Sequence, residues 1–319
     1  MADSMHVGIR LCVSVSLAGW LILCVPTGAA GAAAPGPGAR ETPRPAPKPT
    51  TKPRNVRRTA PAKFEPDTFE RSAFQFRGPR DYDPAKDYPL LVYLHGGGSN
   101  GTDNQKALKA TPGSVKGDEL QKRHPTFVYV PQCPPGGSWA SRAARTMVVN
   151  TVQHLKAVYP IDPRRVYLAG FSMGGSGSYH IAKHYHDVTR SSFAAVVRCA
   201  GQSDYPMATH KVLARSSVWI QIGKLDNANR RYELALDSYA KLREIHYPAP
   251  GEADTHETAK DLTIVTPRKT YKGRTRTLTE KGVKVARISE YDGEGHSTWD
   301  FPFRNPQVFA WMFAQRLAD

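Results

Sequence analysis

One segment, Val166-Tyr-Leu-Ala-Gly-Phe-Ser-Met-Gly-Gly175, constrains the fold more than any other part of the chain. A short apolar, β-branched run ends in Gly170-Phe-Ser172-Met-Gly174, and a helix rich in small residues begins at once. A turn this tight needs glycine or a similarly small residue two positions before and two after the serine. It projects the serine hydroxyl from the C-terminal edge of a sheet. The helix starting behind it turns free N–H groups and a positive dipole end toward any anion that develops there. The bare pentapeptide arises by chance in about one chain in ten of such composition, so the flanking strand and helix carry the reading. The bland alternative is a Gly-rich β-turn in a Rossmann-like unit.

The same theme recurs along the chain. Pro89–Leu94, Phe127–Val130, Phe193–Val197, Val218–Ile222 and Val283–Ile288 are short apolar runs suited to strands buried on both faces. Between them lie helical spacings: Val148, Val152 and Leu155, then Tyr232, Leu236 and Tyr239. Val308, Trp311, Met312 and Leu317 make a last helix. Strand alternating with helix over about 250 residues predicts an α/β fold, a mostly parallel central sheet with helices on both faces. One domain over residues 64–319 is the simplest count. Residues 247–282 break the rhythm and read as an insertion, a pair of polar β-segments turning near Gly273, a hairpin expected to flank the active site.

The first 63 residues belong to another regime. Arg10 precedes the fifteen-residue apolar run Leu11–Val25, and PTGAAGAAAPG follows. That is the layout of a secretory signal over residues 1–34, and the run is shorter than the about 20 residues a membrane span needs. Cys24 follows the bulky Leu23, which argues against a lipid-modified cysteine. Residues 35–63 place proline every second or third position with almost nothing apolar, the composition of a disordered, extended tether. The chain carries 44 Lys+Arg against 28 Asp+Glu, a net charge of +16. Of this, +7 lies on the tether and +9 on 64–319, residues 1–34 being neutral. A solvated spacer touching an anionic cell envelope explains that charge better than a nucleic-acid arm. No helix-turn-helix, zinc-finger or RNP-type pattern accompanies it. The hydrophobic fraction, 40%, excludes a disordered protein, and four cysteines cannot staple a chain this long. The expected localisation is secreted or otherwise extracytoplasmic.

A nucleophilic serine needs a base, the base an orienting acid, and the tetrahedral oxyanion two donors. Leu94-His-Gly-Gly-Gly98 follows an earlier strand, and its glycines let backbone N–H groups approach a substrate. Gly97 is the first donor, with Gly98 the alternative, and the N–H of Met173 is the second. His95 precedes the serine, whereas in this arrangement acid and histidine follow it in that order, so His95 is assigned to holding the loop. Asp226 lies four residues beyond the Val218–Ile222 run, and His296 sits on a Gly-rich loop after the last run. Asp204 is the rival acid. Asp292 and Glu294 stand too close to His296 along the chain to be the first choice.

Together these residues resemble the α/β-hydrolase family. The nearest group holds secreted polyhydroxybutyrate-depolymerase-like and feruloyl or acetylxylan esterase-like proteins and predicted peptidases. The resemblance covers nearly all of 70–319. It rests on Asp81-Tyr-Asp-Pro-Ala-Lys-Asp-Tyr-Pro89, Leu94–Gly98, Gly101-Thr-Asp-Asn104, Val130-Pro-Gln-Cys133, Trp139, Ile161–Tyr167, the serine turn and Gly295-His-Ser-Thr-Trp299. It implies an exported serine hydrolase of carboxylic esters working through an acyl-enzyme, with Ser172, Asp226 and His296 as triad and an oxyanion hole at Gly97 and Met173. It implies no metal or organic cofactor. The expected partner is a small acyl or aryl ester, or a polymer-linked ester. A serine peptidase on the same fold is the alternative, and a non-catalytic envelope or polyanion-binding protein is the alternative from another class.

If the resemblance holds, Trp139 and Trp299 flank the site with flat faces for a sugar or aryl group; either serves equally as a core residue. His180 and His184 stand at i, i+4, but no third ligand has convincing spacing, so no metal site is assigned. In the usual strand order of this fold, two strands separate those of Cys133 and Cys199. The gap of roughly 14 Å predicts two reduced, at least partly buried thiols.

Overall fold

The apolar runs line up side by side because none has a polar face to offer water. The computed structural model describes residues 56–70, 72–297 and 301–318. The signal segment 1–34 and residues 35–55 of the Pro-rich stretch lie outside them. Ten strands form one sheet: β1 (Glu65–Phe69), β2 (Ser72–Arg77), β3 (Tyr88–Leu94), β4 (Phe127–Pro131), β5 (Ile161–Phe171), β6 (Ala195–Cys199), β7 (Ser217–Gly223), β8 (Glu257–Val265), β9 (Thr270–Glu280) and β10 (Val283–Tyr291). Their order is β1-β2-β4-β3-β5-β6-β7-β10-β9-β8. From β4 to β10 every neighbouring pair is parallel. Antiparallel pairs close both edges.

Alternation sets the two faces. Leu90, Val92 and Leu94 pack with Val148, Val152, Leu155, Tyr179 and Leu242. These come from the helices Arg142–Val158, Met173–Thr189 and Arg231–His246. Leu91 and Tyr93 point the other way, onto Val308, Trp311 and Met312 of the helix Pro306–Phe313. Each such side chain contributes about 1.5–3 kcal/mol when buried, so a one-residue slip of β3 would expose one set to the wrong layer. Ser141 starts the Arg142 helix by accepting the Ala144 N–H at 3.2 Å.

The anticipated strands and main helices form where the periodicity places them, with three differences. The largely exposed edge strand β1 and its neighbour β2, buried over Phe74–Arg77, were not anticipated. The last helix ends at Phe313, and Leu317 instead donates its N–H to Arg164 at 3.1 Å. In the 247–282 segment the chain reverses at Thr266–Lys269, where the Thr266 N–H donates to the Lys269 carbonyl at 3.0 Å, and not near Gly273. Gly273 lies within β9, paired with Tyr291 and Leu262. A Cβ there would stand 2.2 Å from the Glu290 carbonyl oxygen. The glycine thus serves strand approach, and the hairpin β8–β9 extends the sheet edge beyond β10.

The end of the Pro-rich stretch runs against the body: Arg57 N–H donates to Val158 at 2.9 Å, and Gly78 N–H to Pro61 at 2.7 Å. Cys133 and Cys199 are both buried thiols, as the strand order requires. No helix among the described residues is long and apolar enough to cross a membrane.

Candidate active site

β5 delivers the chain into the serine turn, and the turn holds Ser172 at φ 54°, ψ −116°, a region side chains rarely adopt. Ser172 N–H donates to the Cys199 carbonyl at 2.9 Å, fixing the turn to the end of β6. Gly174 is demanded by close approach, because a Cβ there would lie 2.1 Å from the Leu94 carbonyl oxygen. The sequence expectation of a sharp strand-to-helix turn is realised here.

Around this serine the structure gathers residues distant in the chain. Ser172 Oγ lies 2.9 Å from His296 Nε2, and His296 Nδ1 lies 2.8 Å from Asp226 Oδ2. These partners assign the tautomer: Nδ1–H donates to the carboxylate and Nε2 accepts the serine proton. Asp226 is buried on the loop after β7, and the His296 ring, a third exposed, sits on the loop after β10 with the Phe171 ring 5.2 Å away. β7 and β10 are parallel neighbours, so their C-terminal loops meet beside the end of β5.

The rival acids are elsewhere. Asp204 is exposed and pairs with Lys241 at 3.3 Å, which with the Tyr205 N–H lowers its carboxyl pKa. Asp292 pairs with Lys224 at 2.6 Å and Glu294 with Lys269 at 2.5 Å.

The Gly96–Gly98 loop lies against the turn. A Cβ on Gly96 would come 3.6 Å from Ser172 Cβ, and one on Gly97 3.9 Å from Met173 Sδ. His95 beneath it is wholly buried, its Nε2 accepting the Cys133 N–H at 3.0 Å and its Nδ1 donating to the Gly96 carbonyl at 2.7 Å. Burial pushes its pKa down, so it stays neutral and locks the loop. A cleft of about 620 Å³ opens here, lined by Gly96–Ser99, Lys106, Lys109, Ala110, Phe171, Ser172 and His296.

Trp139 corrects an expectation. It is wholly buried and offers a substrate no face; its indole N–H donates to the His95 carbonyl at 3.0 Å. It holds the loop from below because its ring fills the space over Gly177, where a Cβ would stand 2.3 Å from its own. Trp299 lies outside the described residues. His184 Nε2 meets Thr146 Oγ1 at 3.3 Å, and His180 packs edge-on to Tyr205.

Sequence reasoning missed one partner of the acid. Arg231, itself buried, sets Nη1 3.2 Å from Asp226 Oδ1 and donates Nη2 to Gln202 Oε1 at 2.9 Å and Nη1 to the Ala228 carbonyl at 3.1 Å. No spacing rule separates this arginine from the exposed Arg230 beside it; only the helix start at Arg231 turns it inward.

The model of the Esterase family matches residues 68–247. No curated protein matches the chain. Among solved structures, a thermostable esterase superposes with a TM-score of 0.62 at 23% identity, covering 80% of this chain and 63% of its own. The chain thus spans less than two thirds of that protein. An acetyl xylan esterase from Aspergillus awamori superposes with a TM-score of 0.54 at 15% identity, covering 78% of this chain and 99% of its own. A ferulic acid esterase gives 0.54 at 14% identity, covering 80% and 98%. These likenesses are of fold, the α/β-hydrolase fold.

Proposed function

The chain belongs to the Esterase family, and we propose that it is an exported serine hydrolase that cleaves carboxylic esters through an acyl-enzyme. The observation that carries the reading is the unbroken hydrogen-bonded line from buried Asp226 through His296 to Ser172, at 2.8 and 2.9 Å. Ser172 Oγ attacks the acyl carbon while His296 Nε2 takes its proton, then returns it to the departing alcohol. Asp226 holds the imidazole in the accepting tautomer and stabilises its charged form. The N–H groups of Gly97 and Met173 hold the oxyanion, at a helix N-terminus that favours negative charge. Water, deprotonated by His296, then releases the acid from Ser172. The signal over 1–34 exports the chain, and the basic tether, up to where Arg57 and Pro61 join the body, rests on anionic envelope material while 64–319 performs the hydrolysis.

Ser172→Ala should abolish hydrolysis of short p-nitrophenyl esters and leave the folded circular-dichroism spectrum intact. Unchanged turnover would remove Ser172 from the mechanism. Peptide amides assayed in parallel separate an esterase from a peptidase on the same fold.

A further inference from the structure

Beyond the triad, the cleft wall carries two cations, Lys106 and Lys109, and no carboxylate. Three residues apart, they share one face of the short helix Gln105–Lys109, whose Ala107 is buried. That helix is fixed in place. Asp103 Oδ1 accepts the N–H groups of Gln105 at 2.9 Å and Lys106 at 3.0 Å, and Nε2 of Gln132 at 2.9 Å. The buried Gln132 also accepts the Asn104 N–H at 2.7 Å and donates to the Ser99 carbonyl at 3.2 Å. One side chain therefore ties the lysine helix to the glycine loop beside Ser172.

Among the described residues Asp103 is the acid paired with Lys106. The Lys106 N–H and then Gln132 hold the Asp103 carboxyl down at about 2, and its distance to Lys106 Nζ is 4.0 Å. Lys109 makes no ion pair with a described residue. Asp103 offsets part of the Lys106 charge, but Lys109 leaves the cleft wall shared with Ser172 net positive, which favours a negatively charged group in the substrate.

We propose that this wall makes the cleft selective for esters that bear a second, anionic group, a carboxylate on the acyl or the alcohol side. The inference rests on the ester-hydrolysis reading and names its substrate class. Because the lysines are solvent-exposed, the preference is screened by salt.

The test uses the full chain and two matched substrate pairs. On the acyl side, p-nitrophenyl hydrogen adipate is compared with its methyl ester; on the alcohol side, 4-acetoxybenzoate with 4-acetoxybenzamide. In one pair kcat/KM for the anion should exceed that of its neutral partner by about tenfold at low salt. The ratio should collapse toward one in 0.5 M NaCl and in K106Q/K109Q, and persist in K106R/K109R. Turnover with equal rates within both pairs overturns the proposal while leaving the hydrolase intact. A preference that survives K106Q/K109Q also overturns it, since the net charge of the body would then be its cause. No turnover of any ester by folded protein would sink the hydrolase reading itself, and this inference with it.

Discussion

The backbone at Ser172 yields a stability prediction whose sign is opposite to the usual one. At φ 54°, ψ −116° a side chain is held in a region open almost only to glycine. Such a residue costs about 1–3 kcal/mol, sustained by the surrounding packing. Ser172→Gly relieves that strain but adds about 0.5–1 kcal/mol of chain entropy to the unfolded state relative to alanine. Ser172→Ala keeps the strain. Both variants lose the 2.9 Å hydrogen bond to His296 equally, so it cancels in the comparison. The glycine variant should therefore be the more stable by about 1 kcal/mol, which for a body of this size is about 2–4 °C in Tm. Calorimetry of the two variants in one buffer measures the difference directly. At an ordinary helix or strand position alanine would win by a similar margin. A glycine variant melting at or below the alanine variant would refute the strained turn.

Two more expectations follow from the structure. Arg231→Met leaves Asp226 buried beside His296 without its cation, so stability should fall by about 3–5 kcal/mol. The kcat, normalised to titrated active sites, should fall at least tenfold with KM little changed, while Arg231→Lys recovers part of both; unaltered melting and turnover would remove the arginine from any role. Burial lowers His210 from 6.5 to about 4. As pH falls below 6.5 the unfolded chain therefore gains a proton that the native state refuses until about 4, and stability drops across that window by about 3 kcal/mol in total. His210→Gln, which retains a partner for Ser238, should flatten Tm between pH 6.5 and 4, and melts that decline as steeply as before would count against this.

Periodicity reached the parallel strands and the main helices because their side chains are buried on both faces or on one stripe, and burial writes its period into the sequence. The edge strand β1 escaped it because it is largely exposed and reads as polar loop, and β2 because its buried half mixes Gln75 and Arg77 with Phe74 and Phe76 and forms no continuous apolar run. The turn of the 257–280 hairpin was misplaced for a related reason: a glycine marks a reversal or a close strand contact equally well, and only the neighbour β10 reveals which.

The residues at the site divide along the same line. Ser172 was legible from its own neighbours, because the turn that bears it is local and needs glycine at fixed offsets. Asp226 and His296 were legible as residues after successive strands. Their meeting with Ser172 was decided only when β5, β7 and β10 took their places in one sheet. The burial of Trp139, the inward turn of Arg231 and the placing of Lys106 and Lys109 in the wall of the cleft left no local trace. Sequence by itself determined which backbone could form, since turn strain and hydrophobic period act between near neighbours. Tertiary structure decided which side chains face one another, because those distances are set by packing between segments that the chain does not connect.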